Sequence, residues 1–373
     1  MSQPNRIFFL DNLRAFNIML VVLLHGAMTY MAYAPQWWYV VDSQNSLFFT
    51  LLVLLVDIPI MQIMFFVAGY FALPSLRKRG IQSFLKNKFI RVGAPWIFGA
   101  LFLAPPTAYI MYFSRQLPVS LVEFWIGDFW GAAYQQSVYW FLGVLFFFFI
   151  VLSLIYNLNP RLRDATPQLS NPSWKLFVMF WAIMTLMMLF IHQFFEAETW
   201  FTQLYILVIQ PLRVPLYIGY FWLGLYAYQR GWFRADGYMP RLWPWLALWL
   251  VSGLLYLAYR IIIAPTFSGP PIINQGIYVV LFNSFCLSSL MGGSAFFQAK
   301  VNGDGPIWKS MSANSYGIYY IHPLILYPVA FLFLDISLPL FVKAPLVILL
   351  GFFLSWAVTA LILKKLPGLQ RVF

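Results

Sequence analysis

Charge is scarce in this chain of 373 residues: Asp, Glu, Lys and Arg together make up 9% of it, where a soluble domain carries about 25%. So few charges cannot cover a water-exposed surface, and a soluble globular enzyme is excluded. Cysteine is nearly absent. Lone Cys286 lies in an apolar run, which rules out a disulfide framework and a thiolate metal cluster. Acidic residues are fewer than basic ones, 11 against 23, for a formal net charge of +12. The cations sit in short gaps between apolar runs and form no single dense patch, which argues against nucleic acid. Disorder is excluded by the 62% apolar content. No glycine loop suited to cradling phosphate and no carboxylate pair at metal-ligand spacing is found. The protein is therefore expected to hold no metal and no bound cofactor, and to need neither nucleotide hydrolysis nor a divalent ion.

Long apolar runs take the place of charge. A membrane-spanning helix needs about 20 such residues, and ten runs qualify: 13–33, 46–73, 89–113, 138–157, 175–195, 202–228, 242–263, 277–298, 313–334 and 338–363. The expected fold is all-α, a polytopic membrane helix bundle of about ten transmembrane helices, formed by residues 1–373 as one unit without a soluble domain. The second run is too long for one straight span and contains Asp57 and Pro59, so part of it is expected in the interface. The sixth is interrupted by Pro211, Arg213 and Pro215 and is expected to kink. With Arg6 and Arg14, 19 of the 23 cations are placed on one side; Arg115, Arg260 and Lys343 fall on the other, and Arg213 lies within a span. Retention of positive charge in the cytosol then predicts a multi-pass inner-membrane protein with both termini cytosolic. Ala32-Tyr33-Ala34 resembles a signal-peptide cleavage site, but the preceding run is long for a signal core and Pro35 follows directly.

Polar groups inside hydrocarbon are costly and mark candidate functional positions. Arg14 and His25 are 11 residues apart on the first run, on one helix face and about 16 Å apart along the axis. This puts Arg14 near the cytosolic surface and His25 near mid-membrane. Asp11 and Asn12 are placed to cap that helix, and Asp11 to pair with Arg14. His322 lies at matched depth on the ninth run, and Pro323 behind it frees the carbonyl of Tyr319. A shared polar cavity for the two histidines is the functional reading; a histidine that only packs helices is the bland one. His192 falls near the outer end of its run, where a histidine is ordinary. Asp57 and Arg213 are placed either to pair or, with slight preference, to leave Asp57 capping a helix restart before Pro59. Tyr139 and Trp140 open the fourth run, where an aromatic belt accounts for them. Gly69-Tyr70 suits a close helix contact. Lys88 and Arg91, spaced i, i+3 in a basic gap, suit a phosphate-bearing ligand, although charge retention alone explains that gap.

Five segments together resemble one family. FFLDNLRAFNIMLVVLLHG (with Arg14 and His25), MQIMFFVAGYF (61–71), KFIRVGAPW (88–96), VYWFLGVLF (138–146) and NSYGIYYIHPLI (314–325) resemble, in order, the acyltransferase-3 family of integral-membrane O-acyltransferases. The likeness spans residues of about 6–365. It implies transfer of an acyl group such as acetyl or succinyl from cytosolic acyl-CoA, a co-substrate, to a hydroxyl of a sugar, glycan or other envelope acceptor. The resemblance gives His25 and Arg14 the catalytic roles and places acyl-CoA at Lys88 and Arg91, where the family usually has two arginines. It makes Asp11, Tyr139, Trp140, Tyr320 and His322 substrate-contacting or supporting residues. The 61–71, 138–142 and 314–325 segments look most like the glucan-modifying type. A fused hydrolase-like domain carried by some relatives is not expected, so envelope-biosynthesis partners would be separate proteins.

The residues support that chemistry. A thioester is already activated, so the acceptor hydroxyl mainly needs a base, and a neutral imidazole supplies one. Direct transfer and an acyl-histidine intermediate both stay open. A ten-helix secondary transporter or flippase is the rival reading, drawn from the kinked sixth run and the intramembrane Asp57, Arg213 and His322; no repeat between halves is visible.

Overall fold

The computed structural model describes residues 7–164, 167–202 and 205–373, so Arg6 of the basic tally lies outside the described residues. The helices are α1 (Phe8–Ala27), α2 (Leu47–Arg79), α3 (Ile81–Ser114), α4 (Leu121–Ile126), α5 (Trp140–Leu158), α6 (Pro160–Asp164), α7 (Trp174–Ile191), α8 (Val214–Gln229), α9 (Leu242–Ala258), α10 (Pro271–Lys300), α11 (Pro306–Leu332) and α12 (Leu340–Val358). Among the described residues there is no strand, only two isolated bridges. Among the described residues, eight helical segments are long and apolar enough to cross a membrane, which makes this an all-α polytopic membrane bundle. The other two apolar runs are helical as well. α11 is 27 residues long but is diluted by Lys309, Ser310, Ser312, Asn314, Ser315 and His322. α8 has only 16 residues.

Helix ends collect at two poles. The basic pole holds the start of α1, the Arg77–Arg79 end of α2 and the start of α11; Asn12 ties α1 to the turn after α10 through Val301 O at 2.7 Å and Gly303 O at 2.9 Å. Asn12 therefore bridges two elements and does not cap α1, whose N-cap is Ile7 without a side-chain bond. The opposite pole holds the loop between α1 and α2 and the segments flanking α4.

Two expectations about the long runs are corrected. α2 is one continuous helix of 33 residues, started by Ser46, whose hydroxyl accepts from Phe48 N at 3.2 Å; Asp57 begins no new helix, and Pro59 is carried within it. The sixth run does not kink but starts late. Pro211 and Pro215 lack amide donors and fit only the first turn of a helix, so a 3₁₀ turn at Pro211–Arg213 opens α8 and residues 205–210 stay non-helical.

Prolines also explain the wide turns. π turns at Phe89–Gly93, Gly99–Leu103 and Tyr259–Ile263 each end two residues before a proline, at Pro95, Pro105 and Pro265. Proline offers no N–H and crowds the carbonyl four residues back, and widening the turn relieves that clash. The closest helix contact joins α2 to α8. A β-carbon on Gly69 would lie 2.0 Å from Phe221 O, and one on Gly224 2.1 Å from Phe66 O. Only hydrogen fits at either place, and the small residues let the two backbones meet.

Candidate active site

α1 and α11 both start at the basic pole and run side by side, which brings His25 and His322 into contact. His322 Nε2 lies 2.9 Å from His25 Nδ1, and His322 Nδ1 lies 2.7 Å from the carbonyl oxygen of Tyr319. That carbonyl is the one Pro323 leaves without its helical donor. The bonds fix the protons. A carbonyl only accepts, so His322 Nδ1 carries hydrogen; a neutral ring then has a bare Nε2, which must accept from His25 Nδ1–H. The remaining lone pair of the couple is on His25 Nε2. His322 is fully buried, whereas His25 is only partly so. His25 also lies in the last turn of α1. Because the helix starts at Phe8, the ring is about 26 Å from its beginning, displaced from mid-bundle toward the opposite pole.

Aromatic rings enclose the couple. Trp38 stacks on His25 with centroids 5.8 Å apart and planes 7° from parallel, and Tyr327 meets the same ring edge-on at 6.4 Å. Tyr39 stacks on Tyr327 at 4.2 Å. Trp38 Nε1 and the Tyr327 hydroxyl are buried donors without a partner among the described residues. The loop carrying Trp38 and Tyr39 is held by an ion pair between Asp42 and Lys343, 2.7 Å long with both side chains 1% exposed, and Lys343 also donates to Leu334 O at 2.9 Å. Lys343 is therefore a buried residue of α12 and not the outer-side surface cation it was counted as in the charge tally.

A second row of contacts joins this centre to α3. The Tyr316 hydroxyl donates to Arg91 O at 2.6 Å, the carbonyl whose helical donor would have been Pro95, and the Tyr320 hydroxyl donates to Pro95 O at 3.0 Å. Tyr139 donates to Tyr320 O at 3.1 Å, and the Tyr319 hydroxyl to Val138 O. Tyr139 is fully buried, so it forms no aromatic belt; Trp140 beside it packs on Trp200 and Tyr217 at 5.5 and 5.4 Å. Gly99 makes room for the Tyr139 ring, which an added β-carbon would meet at 2.4 Å.

The basic candidates stand apart from the imidazoles. Arg14 pairs with Asp11 at 3.3 Å near the basic pole and does not meet His25, about 16 Å farther along α1. Lys88 and Arg91 differ in burial. Lys88 Nζ lies 4.1 Å from the centroid of Phe149 on α5 and 5.4 Å from that of Phe84, whereas the π turn starting at Phe89 leaves Arg91 exposed. Arg79 and Arg91 are the charges that act on Lys88. Beside them an open cleft of about 470 Å³ is lined by Arg79, Gly80, Gln82, Ser83, Asn157 and Arg163.

An imidazole couple buried among helices, with unpartnered donors beside it and cations at one pole, forms the candidate active site. The family model of the acyltransferase domain matches residues 7–364, and the chain belongs to that family, acyltransferase-3: it is a multi-pass membrane acyltransferase. Comparison with curated proteins and with solved structures gives no match.

Sequence reasoning reached both histidines and the freed Tyr319 carbonyl. It missed Trp38, Tyr39, Tyr327 and the Asp42–Lys343 pair. Trp37-Trp38-Tyr39 just past the first run was the signal for the aromatic wall. Nothing in the spacing joins residue 42 to residue 343.

Proposed function

We propose that the protein moves an acyl group, of the acetyl or succinyl kind, from cytosolic acyl-CoA to a hydroxyl of an envelope glycan, with His25 as general base and no bound cofactor. The observation that carries this reading is the contact of His25 Nδ1 with His322 Nε2 at 2.9 Å, with His322 Nδ1 held by the Tyr319 carbonyl, from which the proton order follows. With His25 Nδ1–H committed to His322, Nε2 faces the site as an acceptor. The acceptor hydroxyl gives its proton to His25 Nε2 while its oxygen attacks the thioester carbonyl carbon. As the tetrahedral intermediate collapses, the C–S bond breaks, and His25 returns the proton to the departing thiolate of CoA. General base catalysis of this sort is worth about 10²–10⁴-fold. His322 acts through His25 as a positioning residue, holding its tautomer and ring plane. Trp38 Nε1–H and the Tyr327 hydroxyl are buried donors beside the ring, suited to the charge that develops on the carbonyl oxygen.

The donor enters from the basic pole, which charge retention assigns to the cytosol of an inner-membrane protein. Lys88, Arg91 and the Arg79 cleft suit the phosphates of CoA, with Lys88 as a point charge rather than a bidentate fork. Arg14, paired with Asp11, is suited to a donor contact on the way in. From Tyr316, beside Arg91, to His322 is six residues of α11, about 9 Å of rise. Tyr139, Trp140 and Tyr320 support the wall between the two. The likeness of the 61–71, 138–142 and 314–325 segments to the glucan-modifying type favours a periplasmic glucan as acceptor, and the position of His25 near the opposite pole agrees with an acceptor arriving from outside.

The test is to incubate purified protein with radiolabelled acetyl- or succinyl-CoA and extracted envelope glycans. Label should pass to glycan with wild type and not with His25→Ala, which should still bind acyl-CoA. Undiminished turnover by His25→Ala refutes the reading.

A further inference from the structure

The strap from Pro35 to Asp42, which lays the Trp38 ring on His25, has neither helix nor strand. Its carbonyls therefore have no ladder donors and must be satisfied from elsewhere. The end of α3 supplies them. Arg115 Nη2 donates to Gln36 O at 2.6 Å and to Trp38 O at 3.0 Å, and the Ser114 hydroxyl donates to Tyr39 O at 2.9 Å. A helix dipole by itself favours a cation at this end, but a cation serving only the dipole would turn to the last carbonyls of α3. Arg115 reaches across instead, to a strap 77 residues away in sequence.

These bonds meet at one residue. Trp38 is 3% exposed, and its amide donates to Pro35 O at 2.9 Å. With that amide and its carbonyl both held, the peptide units on either side of Trp38 are fixed. Its ring packs on His25, Tyr39 and Tyr327 at centroid distances of 5.8, 5.1 and 5.5 Å. The Asp42–Lys343 pair anchors the strap four residues farther on and does not by itself set the Trp38 peptide.

We propose that Arg115 is a positioning residue for His25: by holding the carbonyls of Gln36 and Trp38 it keeps the indole stacked on the imidazole and Trp38 Nε1–H beside it. The placement of the ring stands on these bonds alone. Its effect on rate rests on the reading of His25 as the base.

Two measurements on monodisperse, detergent-purified full-length protein test this. The first needs no turnover. Diethyl pyrocarbonate attacks a neutral imidazole at its bare nitrogen, and the chain has 3 histidines, so peptide mass spectrometry follows each separately. Arg115→Ala should loosen Trp38 and speed modification of His25 about fivefold, the weight of one net hydrogen bond. His192, which packs on Tyr278 and not on the strap, should keep its wild-type rate. The second measurement is radiolabelled acyl transfer over a range of acyl-CoA concentrations. Arg115→Ala should lower kcat about 10- to 100-fold, with the KM for acyl-CoA within about twofold of wild type. Arg115→Lys should keep most of the rate, because both bonds come from one nitrogen and an ammonium carries three donors. With Trp38→Ala in place Arg115 has no ring left to hold, so adding Arg115→Ala should change kcat by less than about twofold. Unchanged modification of His25 in Arg115→Ala overturns the proposal. So do losses that multiply in the double variant, or an Arg115→Lys no better than Arg115→Ala. Should wild type transfer no label, the reading of His25 as base fails, and the modification rates alone decide the placement.

Discussion

Replacing His322 probes the bond on which the mechanism turns. His322→Ala leaves His25 Nδ1–H without the acceptor now 2.9 Å away, so the base loses both its preferred tautomer and its fixed ring plane. The loss of one buried hydrogen bond is worth about 1–3 kcal/mol, which becomes a fall in kcat of about 5- to 150-fold. Because His322 touches His25 and not the donor, the KM for acyl-CoA should stay within about twofold of wild type. His25→Ala should cost the whole general-base term, about 10²–10⁴-fold. In the double variant His322 has nothing left to position, so activity should match that of His25→Ala alone. That pattern corresponds to a coupling energy of about 1–3 kcal/mol. His322→Gln keeps an acceptor near the position of Nε2 and should recover part of the rate. The measurement is radiolabelled acyl transfer to extracted glycan over a range of acyl-CoA concentrations. If the two losses multiply in the double variant, or if His322→Ala keeps full kcat, the proton order derived above is wrong.

Gly69→Ala should lower the apparent melting temperature in detergent markedly, because its methyl would sit 2.0 Å from the Phe221 carbonyl oxygen; forced overpacking costs about 1–3 kcal/mol or more. Lys343→Met strands the Asp42 carboxylate, 1% exposed, and should cost about 3–5 kcal/mol, with Lys343→Met/Asp42→Leu recovering part of it in the same melting assay. Lys88→Met should raise the KM for acyl-CoA about fivefold or more with kcat unchanged, as expected for a charge that holds phosphate and takes no part in the chemistry; unchanged kinetics would remove Lys88 from the donor site.

Hydropathy alone gave the helical plan, because a bilayer leaves the backbone few alternatives. It also brought out His25 and His322, since a polar group within an apolar run is costly and marks a candidate position. It failed where tertiary contact decides. Asp57 read slightly better as a cap than as a partner until α8 brought Arg213 alongside. Tyr139 read as an interface residue because a chain cannot announce that Gly99 on another helix will make room for its ring. Lys343 sat beside a gap and counted as an outer-side surface charge, while its carboxylate partner lay some three hundred residues away. Even the depth of His25 depended on a detail hydropathy blurs: α1 starts at Phe8, several residues before the apolar run, and this moves the imidazole toward its far end.

Pro95 of α3 and Pro323 of α11 each strip a donor from the ladder, and at both a side chain claims the orphan: Tyr316 at the Arg91 carbonyl, His322 at that of Tyr319. Such defects act as rivets. α11 cannot slide or roll against α3 without breaking the bonds of Tyr316 to the Arg91 carbonyl and of Tyr320 to the Pro95 carbonyl, so this seam is the stator of the bundle.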